Sequence, residues 1–200
     1  MSVRSLLPLT ALALLWLAML LLGGELWHAD RHILNLLYAG GRPGLAAAAA
    51  LVTQMGGWAL LTLFTALAAS YLLLRRRVRE ALLLIAIVLG GRLMVDLQKY
   101  LTARLRPELD HLVEVHSLSF PSGHAANSMI VYLAIALLLA PRPLAIAAAL
   151  LLSLVVGLSR IVLGVHWPSD VAGGWAFGLL WTLGLVRLVR QKGTPPRLRH

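Results

Sequence analysis

Three groups of polar residues interrupt the apolar runs in the second half of this 200-residue chain. In the last group, Ser159 and Arg160 are followed by His166 and, four residues later, by Asp170. At that spacing Asp170 can accept a hydrogen bond from one nitrogen of His166, which fixes the tautomer and leaves the other nitrogen as a nucleophile. An ionisable residue near the centre of a membrane span costs roughly 2.5–3.5 kcal/mol on insertion scales, so the group indicates a functional site.

The second group is Pro121-Ser122-Gly123-His124, at the start of a predicted helix. Proline at a helix start and serine as a cap are common in purely structural positions. Gly123 adds room for an anion to approach the free N–H groups of the helix N-terminus, which favours negative charge. His124 places a titratable proton beside that anion.

The first group is Lys99 and Arg106-Pro107. Seven residues separate the two cations, so on one continuous helix they share a face, and Arg92 and Asp96 join the same stripe. Pro107 is then expected to end the helix. The alternative interpretation is that Lys99 and Arg106 extend to the lipid headgroups.

Together the groups supply neutral donors from the Ser122–Gly123 turn, two histidines and three cations, namely Lys99, Arg106 and Arg160. Asp96 and Asp170 are too few, and too differently placed, to neutralise these cations. A phosphoryl group, which spreads negative charge over several oxygens in its transition state, fits this set of donors.

The composition predicts an integral membrane protein. Apolar residues make up 60% of the chain and charged residues 13%, far from the average of soluble domains. The net charge of +10 does not indicate a nucleic-acid partner, because the basic residues lie between apolar runs rather than on one soluble face. The absence of cysteine leaves the redox compartment open.

The apolar runs predict an all-α bundle of six transmembrane helices, since about 20 apolar residues cross a bilayer. The predicted spans are Leu6–Leu22, Trp58–Leu74, Ala81–Leu101, Gly123–Ala140, Leu144–Leu163 and Val171–Val189. The first run has features of a signal peptide, but the Gly23-Gly24-Glu25-Leu26 that follows is no clear cleavage site, which favours a retained span. Glycines and Pro43 divide residues 25–55 into two short helices, expected at the membrane interface.

Basic residues predict the orientation, because they are enriched in cytoplasmic loops. One side of the six-span topology carries eleven: Arg4, Arg75, Arg76, Arg77, Arg79, Arg142, Arg187, Arg190, Lys192, Arg197 and Arg199. The other carries six: Arg31, Arg42, Lys99, Arg104, Arg106 and Arg160. We therefore expect both termini in the cytoplasm and all three polar groups outside.

Residues 1–200 form one predicted domain, with a catalytic core at 58–189, an extracytoplasmic interfacial segment at 24–56 and a cytoplasmic basic tail at 191–200.

The three groups resemble the signature of the type 2 phosphatidic acid phosphatase family, whose core is shared with vanadium-dependent haloperoxidases. The K-x6-R-P, P-S-G-H and S-R-x5-H-x3-D elements are all complete in this chain, in that order. They match Lys99…Arg106-Pro107, Pro121-Ser122-Gly123-His124 and Ser159-Arg160…His166…Asp170. The resemblance covers roughly Trp58 to Val189.

The resemblance implies a role for each matched residue. His166 attacks phosphorus and becomes a phosphohistidine, Asp170 orients it, and His124 protonates the leaving oxygen and then activates water. The residues implied to hold the phosphoryl oxygens are Lys99, Arg106, Ser122, Gly123 and Arg160. No metal or other cofactor is implied, because the three cations do the work that Mg²⁺ does elsewhere.

The expected function is that of a membrane lipid phosphatase facing the cell exterior, most simply in a bacterial inner membrane. Its expected partners are membrane lipids and a lipid phosphate; the candidates are polyprenyl diphosphate such as undecaprenyl diphosphate, phosphatidylglycerophosphate, phosphatidic acid and lipid A phosphates. Phosphotransfer to a lipid acceptor and a lipid-phosphate carrier without turnover remain alternatives. A soluble haloperoxidase is disfavoured by the membrane helices, and the intact histidines and Asp170 argue against the carrier.

The loop at 107–120 holds five acidic or histidine residues, for which an exposed polar loop is a simpler explanation than a metal site.

Overall fold

The predicted all-α fold is confirmed: the computed structural model describes the backbone of residues 3–192 and the side chains of residues 6–191, and this part of the chain contains helices and no strands. The helices are α1 (Val3–Leu22), α2 (His28–Leu37), α3 (Pro43–Gln54), α4 (Trp58–Leu74), α5 (Val78–Thr102), α6 (Gly123–Leu139), α7 (Pro143–Val162) and α8 (Pro168–Lys192). Within the predicted basic tail at 191–200, the residues after Lys192, including Arg197 and Arg199, lie outside the described residues, as do the side chains of Arg4 and Lys192.

Each of the six predicted spans corresponds to a long helix, and the segment 25–55 forms the two short helices α2 and α3. Three stretches are long and apolar enough to cross a membrane: Pro43–Leu74 (α3 and α4 together), Pro143–Val162 and Pro168–Gln191. Leu6–Leu22 and α6 are shorter apolar helices. The number of six spans remains a prediction.

One helix end differs from the prediction. The sequence places Lys99 and Arg106 on one helix that ends at Pro107, but α5 ends at Thr102. Ala103 adopts a left-handed conformation, with φ 49°, and its N–H bonds to the Lys99 carbonyl, a common way for a helix to end. Arg106 therefore lies in the loop after α5, where the loop fold rather than helical periodicity brings its guanidinium towards His166.

Helix α6 is the centre of the bundle, since it packs against α4, α5, α7 and α8. Its contact with α8 is close because Gly174 and Gly178 of α8 carry no side chain. A Cβ atom at Gly178 would lie 2.9 Å from the carbonyl oxygen of Ala126, and one at Gly174 would lie 2.9 Å from that of Ser122. Small residues at this spacing allow helix backbones to approach in membrane proteins, and here they join the N-terminal parts of α6 and α8, where two of the polar groups lie.

Candidate active site

A cavity of about 510 Å³ opens where α5, α6 and α7 meet the loop at 107–120. Most of the residues that the sequence proposed for the site line it: Lys99, Arg106, Gly123, His124, Arg160 and His166. The other two, Ser122 and Asp170, are fully buried, and the backbone N–H of Ser122 donates to the backbone carbonyl of Asp170. The structure thus brings together three polar groups that are up to 71 positions apart in the sequence, from Lys99 to Asp170.

His166 lies between the cavity and a buried carboxylate. It is in the short connection from α7 to α8, and only 2% of its surface is exposed. Its Nδ1 lies 3.5 Å from Asp170 Oδ2 and 3.3 Å from Ser119 Oγ, and the Ser119 hydroxyl donates to the same Asp170 oxygen at 2.5 Å. His166 thus lies at ion-pair distance from Asp170, as the spacing predicted, but the hydrogen-bonded connection between them runs through Ser119, which was not predicted from the sequence.

The other ring nitrogen of His166 faces a cation. Arg106 Nη1 lies 3.2 Å from His166 Nε2, and because a guanidinium can only donate, Nε2 must be the unprotonated acceptor. The proton of the neutral ring then resides on Nδ1, on the Ser119 and Asp170 side. This arrangement presents a lone pair at Nε2 on the side where Arg106 and the cavity lie.

Asp170 lies in the first turn of α8, where negative charge is favourable. Besides Ser119, its carboxylate accepts hydrogen bonds from the backbone N–H of Trp167 at 2.9 Å and from Arg104 Nη1 at 2.9 Å. The Asp170 side chain is completely buried and that of Arg104 is 12% exposed. Three donors thus hold the carboxylate in one orientation before any substrate binds.

Arg104 connects Asp170 to other parts of the fold. Its Nη2 donates to the carbonyls of Met19 at 3.0 Å and Leu20 at 2.6 Å, in the last turn of α1. These carbonyls lie at the negative end of the helix dipole, and that of Met19 also accepts the N–H of Gly23 at 3.3 Å. The guanidinium also lies over the ring of Phe120, 4.5 Å from its centroid.

A second buried carboxylate, Asp30 of α2, supports the start of α8. Its Oδ1 accepts from the backbone N–H of Ser169 at 2.8 Å, and its Oδ2 accepts from the Ser169 hydroxyl at 2.5 Å and from the backbone N–H of Gly24 at 2.6 Å. Ser169 Oγ also receives a hydrogen bond from Arg104 Nη1 at 3.2 Å. The segment before α4 therefore takes part in positioning Asp170.

The cations proposed to hold phosphate are bound by neutral oxygens. Lys99 Nζ donates to the carbonyl of Leu118 at 2.5 Å, and Arg106 donates to the carbonyls of Ser117 at 2.7 Å and Val165 at 2.5 Å. Among the described residues, no carboxylate forms an ion pair with Lys99, Arg106 or Arg160. Their positive charges remain uncompensated by ion pairing at the cavity wall, so the site attracts an anion.

Two buried polar atoms in this region have no partner among the described residues. Arg160 Nη1 donates to Thr53 Oγ1 of α3 at 2.8 Å, but its Nε has no acceptor, and neither does Ser122 Oγ. Ser122 is the N-cap residue of α6 without a capping hydrogen bond from its side chain. Buried donors are rarely left unpaired, so both atoms suit a site that binds an acceptor-rich group.

The N-terminus of α6 supplies further donors. Its first helical hydrogen bond runs from the N–H of Ala126 to the carbonyl of Ser122, so the preceding N–H groups have no intrahelical acceptor. His124 packs against Gly56 in the connection from α3 to α4: a Cβ atom at Gly56 would lie 3.1 Å from His124 Cδ2 and 2.4 Å from Val156 Cγ1. A side chain at position 56 would clash with Val156 and press against the histidine that lines the cavity.

Burial and charge keep His166 neutral. Burial lowers the pKa of the His166 imidazole well below its ordinary value of 6.5, and the charges of Arg106, Lys99 and Arg160 lower it further. Burial also lowers the pKa of the Arg106 guanidinium, while Asp170 acts in the opposite direction. A neutral imidazole beside three cations can attack an electrophile that those cations hold.

The polar loop between α5 and α6 places Glu114 and His116 at the mouth of the cavity. Their side chains are 94% and 86% exposed, with 3.8 Å between Glu114 Oε2 and His116 Nε2. In the part of the chain that the structure describes, no three acidic or histidine side chains gather in an arrangement that could hold a metal ion.

Four residues that support the site were not predicted from the sequence: Arg104, Ser119, Asp30 and Thr53. Arg104 was counted only as one of the extracytoplasmic basic residues, although its position two residues before Arg106 was a possible signal. Ser119 precedes Pro121-Ser122-Gly123-His124 by two residues, within the same connection. Asp30 is an acidic residue in a largely apolar chain, but nothing in the sequence connects it with Ser169.

Comparisons with known proteins agree on one family. The family model described as the PAP2 superfamily matches residues 59–194. Phosphatidylglycerophosphatase B of Bacillus subtilis is 31% identical over 137 residues, which are 64% of this chain and 68% of that protein. Decaprenylphosphoryl-5-phosphoribose phosphatase of Mycobacterium tuberculosis is 38% identical over 153 residues, 72% of this chain and 80% of that protein. The crystal structure of a transmembrane PAP2-type phosphatidylglycerolphosphate phosphatase from Bacillus subtilis superposes with a TM-score of 0.84 at 26% identity, over 96% of this chain and 99% of that chain.

We predict that Asp30→Ala destabilises the protein and slows its reaction. The change removes the acceptor of two buried backbone N–H groups, each costing about 1–3 kcal/mol when unsatisfied, and it loosens the start of α8 that carries Asp170. The measurements are the midpoint of thermal unfolding in detergent and the turnover number. His32→Ala, at an exposed position of the same helix, is the control; equal stability of the two variants would contradict the role of Asp30.

The low pKa of His166 predicts a contribution to the pH dependence of stability. Below the ordinary histidine pKa the unfolded chain binds a proton at this position and the folded chain does not, so stability falls as the pH falls. His166→Asn removes this contribution, so its thermal midpoint should decrease less than that of the wild type between neutral and acidic pH. The exposed His32→Asn should keep the wild-type slope. Identical slopes for wild type and His166→Asn would show that His166 is not held neutral by the fold.

Proposed function

The chain belongs to the PAP2 superfamily and is a phosphatase of lipid phosphates, and we propose that it acts through a phosphohistidine intermediate, without a metal ion, at the extracytoplasmic face of the membrane. The observation that carries this proposal is the environment of His166. One nitrogen points to the buried Asp170 carboxylate, and the other faces a cavity lined by Lys99, Arg106 and Arg160.

In the first step, the lone pair of His166 Nε2 forms a bond to phosphorus while the bond from phosphorus to the leaving oxygen breaks. The imidazole becomes positively charged, and Asp170 stabilises that charge from the Nδ1 side. His124, at the same cavity, gives a proton to the leaving oxygen, so that the lipid departs as an alcohol, or as a monophosphate when the substrate is a diphosphate. General acid catalysis of this kind typically supplies about 10²–10⁴ in rate.

In the second step, His124 removes a proton from water, whose oxygen attacks the phosphohistidine. The bond from phosphorus to Nε2 breaks, inorganic phosphate forms, and the neutral imidazole is restored. Lys99, Arg106 and Arg160, together with Ser122 and the N–H of Gly123, bind the phosphoryl oxygens in both steps. Because these charges are fixed in place, they stabilise the transition state with little reorganisation.

The substrate is proposed to be a lipid phosphomonoester or diphosphate. Two similar proteins are named for phosphatidylglycerophosphate and for decaprenylphosphoryl-5-phosphoribose, and both names describe a phosphate attached to a membrane lipid. The apolar helices around the cavity allow a lipid to enter from the bilayer with its phosphate at the interface. We place α2 and α3 at the outer interface, with six spans and both termini in the cytoplasm.

We expect His166→Asn to abolish phosphate release from lipid phosphates, and the wild type to keep its full rate in EDTA. A brief reaction with labelled substrate, stopped in alkali, should leave label on the wild type as an acid-labile phosphohistidine and none on His166→Asn. His124→Asn should retain the fold but turn over at least about a hundredfold more slowly. Inhibition by EDTA, or phosphate release by His166→Asn, would refute the mechanism; label transferred to a lipid rather than to water would indicate a phosphotransferase.

The proposed orientation is testable because the chain contains no cysteine. Glu114→Cys introduces a thiol in the loop beside the cavity, and Arg76→Cys introduces one in the turn between α4 and α5. In cells whose plasma membrane is intact and whose outer envelope the reagent can cross, a membrane-impermeant maleimide should label the cysteine at position 114 and not the one at position 76. Detergent should make both react; the opposite pattern in cells would place the site in the cytoplasm.

A further inference from the structure

Arg92 is a charged residue in the middle of α5 that the proposed mechanism does not use. It is the fifteenth of 25 residues in this helix. Its side chain forms no ion pair and no hydrogen bond with any residue that the structure describes. Asp96, four positions later, is at a spacing that permits a helical ion pair, yet the two side chains do not form one.

Arg92 lies too deep for its position to be explained by contact with lipid headgroups. Ten residues separate it from the outer end of α5 at Thr102 and fourteen from the other end at Val78, which correspond to about 15 and 21 Å at the rise of an α-helix. A side chain that extends along the helix covers only part of either distance. An ionisable group at this depth indicates a function by default.

The surroundings of Arg92 show what that function requires. Arg92 lines the catalytic cavity and also a second cavity of about 230 Å³ that continues from it between α4, α5 and α6. We call this second cavity the groove. Its walls beyond the catalytic level are mostly apolar, formed by Leu61, Val88, Leu89, Ile130 and Val131. The groove begins at the phosphate site, is mostly apolar, and passes the unpaired guanidinium of Arg92. These features fit a lipid chain that carries an anionic group near its head.

Asp96 occupies the level between Lys99 and Arg92 and also lines the groove. It makes no hydrogen bond among the described residues, and its carboxylate attracts the Lys99 ammonium. A carboxylate can only accept hydrogen bonds, so a ligand group beside it must donate. Along the groove, the phosphate site at Lys99 comes first. The Asp96 carboxylate, which can accept hydrogen bonds from hydroxyl groups, comes second, and the Arg92 guanidinium, which can bind a second anion, comes third.

From this order we infer that Arg92 and Asp96 form a subsite for a substrate with two phosphates joined by a polyol. The terminal phosphomonoester lies in the catalytic cavity, a hydroxyl of the polyol donates to Asp96, and the phosphodiester that carries the lipid chain binds Arg92. This inference rests on the proposed function and specifies its substrate class as the lipid phosphodiester of a glycerol phosphate or sugar phosphate.

The spacing along α5 distinguishes this class from the other candidates. Lys99 and Arg92 are seven residues apart, about 10 Å along the helix axis. The two phosphorus atoms of a diphosphate share one bridging oxygen, so both would remain at the catalytic level. Phosphatidic acid has no second phosphate to bind Arg92. A glycerol or pentose spacer separates the phosphates by several bonds and carries hydroxyl groups at the level of Asp96.

The test compares two substrates with the same acyl chains, phosphatidylglycerophosphate and phosphatidic acid, in detergent micelles. A hydrogen bond to a charged group contributes about 1.5–3 kcal/mol, so Arg92→Gln should lower kcat/KM for phosphatidylglycerophosphate by about tenfold or more. It should change kcat/KM for phosphatidic acid less than about twofold. Arg79→Gln, which removes a cation from the opposite end of the same helix, is the matched control and should change neither value. An equal loss on both substrates, or none on phosphatidylglycerophosphate, would overturn the inference.

A binding measurement tests the subsite without turnover. Phosphatidylglycerol keeps the phosphodiester and a hydroxyl-bearing glycerol but has no phosphomonoester. We expect phosphatidylglycerol to raise the thermal midpoint of His166→Asn more than phosphatidylcholine does. This difference between the two lipids should disappear when Arg92→Gln is combined with His166→Asn, and it should remain when Arg79→Gln is combined with His166→Asn. Unchanged stabilisation in the Arg92→Gln background would refute the subsite. If the wild type released phosphate from no lipid, the proposed function would fail, and this measurement would still decide whether the subsite exists.

Discussion

The buried ion pair between Arg104 and Asp170 connects the last turn of α1 with the start of α8. Removing two charges from water is costly, and the cost is offset only when hydrogen bonds satisfy both partners. Here the guanidinium also binds the last turn of α1 and stacks on Phe120, while Ser169 links it to Asp30 of α2. Because every partner of this pair is a fixed backbone or buried group, His166 receives an orientation that the loop between α7 and α8 could not provide alone.

The cations at the cavity, unlike Arg104, are held by neutral oxygens rather than by a carboxylate. Lys99 and Arg106 are bound by the carbonyls of residues 117, 118 and 165 rather than by carboxylates. Neutral acceptors fix the direction of a cation without cancelling its charge, so the positive potential remains available to an incoming anion. The same bonds attach the loop at 107–120 to α5 and to the α7–α8 connection. Two hydrogen-bond networks therefore flank His166: one holds its ring on the Asp170 side, and the other holds the cations at the cavity wall.

The residues that line the cavity were predicted from the sequence more fully than the residues that support them. Residue types at fixed spacing pointed to His124, His166 and the three cations, which line the cavity, and the lengths of the apolar runs located the long helices. The support depends on loops, whose path follows from tertiary contacts that no periodicity encodes. Arg106 shows this limit: helical spacing placed it correctly near Lys99, but for the wrong reason, because the helix ends at Thr102 and the loop carries Arg106 to His166.

The short length of helices α2 and α3 determines how they support the site. Asp30 of α2 binds the start of α8, and Thr53 of α3 binds Arg160 at the end of α7. A helix of 12 residues such as α3 extends only about 18 Å, so it covers one part of α7 and ends beside Arg160. Polar side chains at that depth are enclosed by other helices, as the burial of Asp30 and Thr53 shows. Helix α2 thus delivers an acceptor to the start of α8, and α3 delivers one to the end of α7, on two sides of the site.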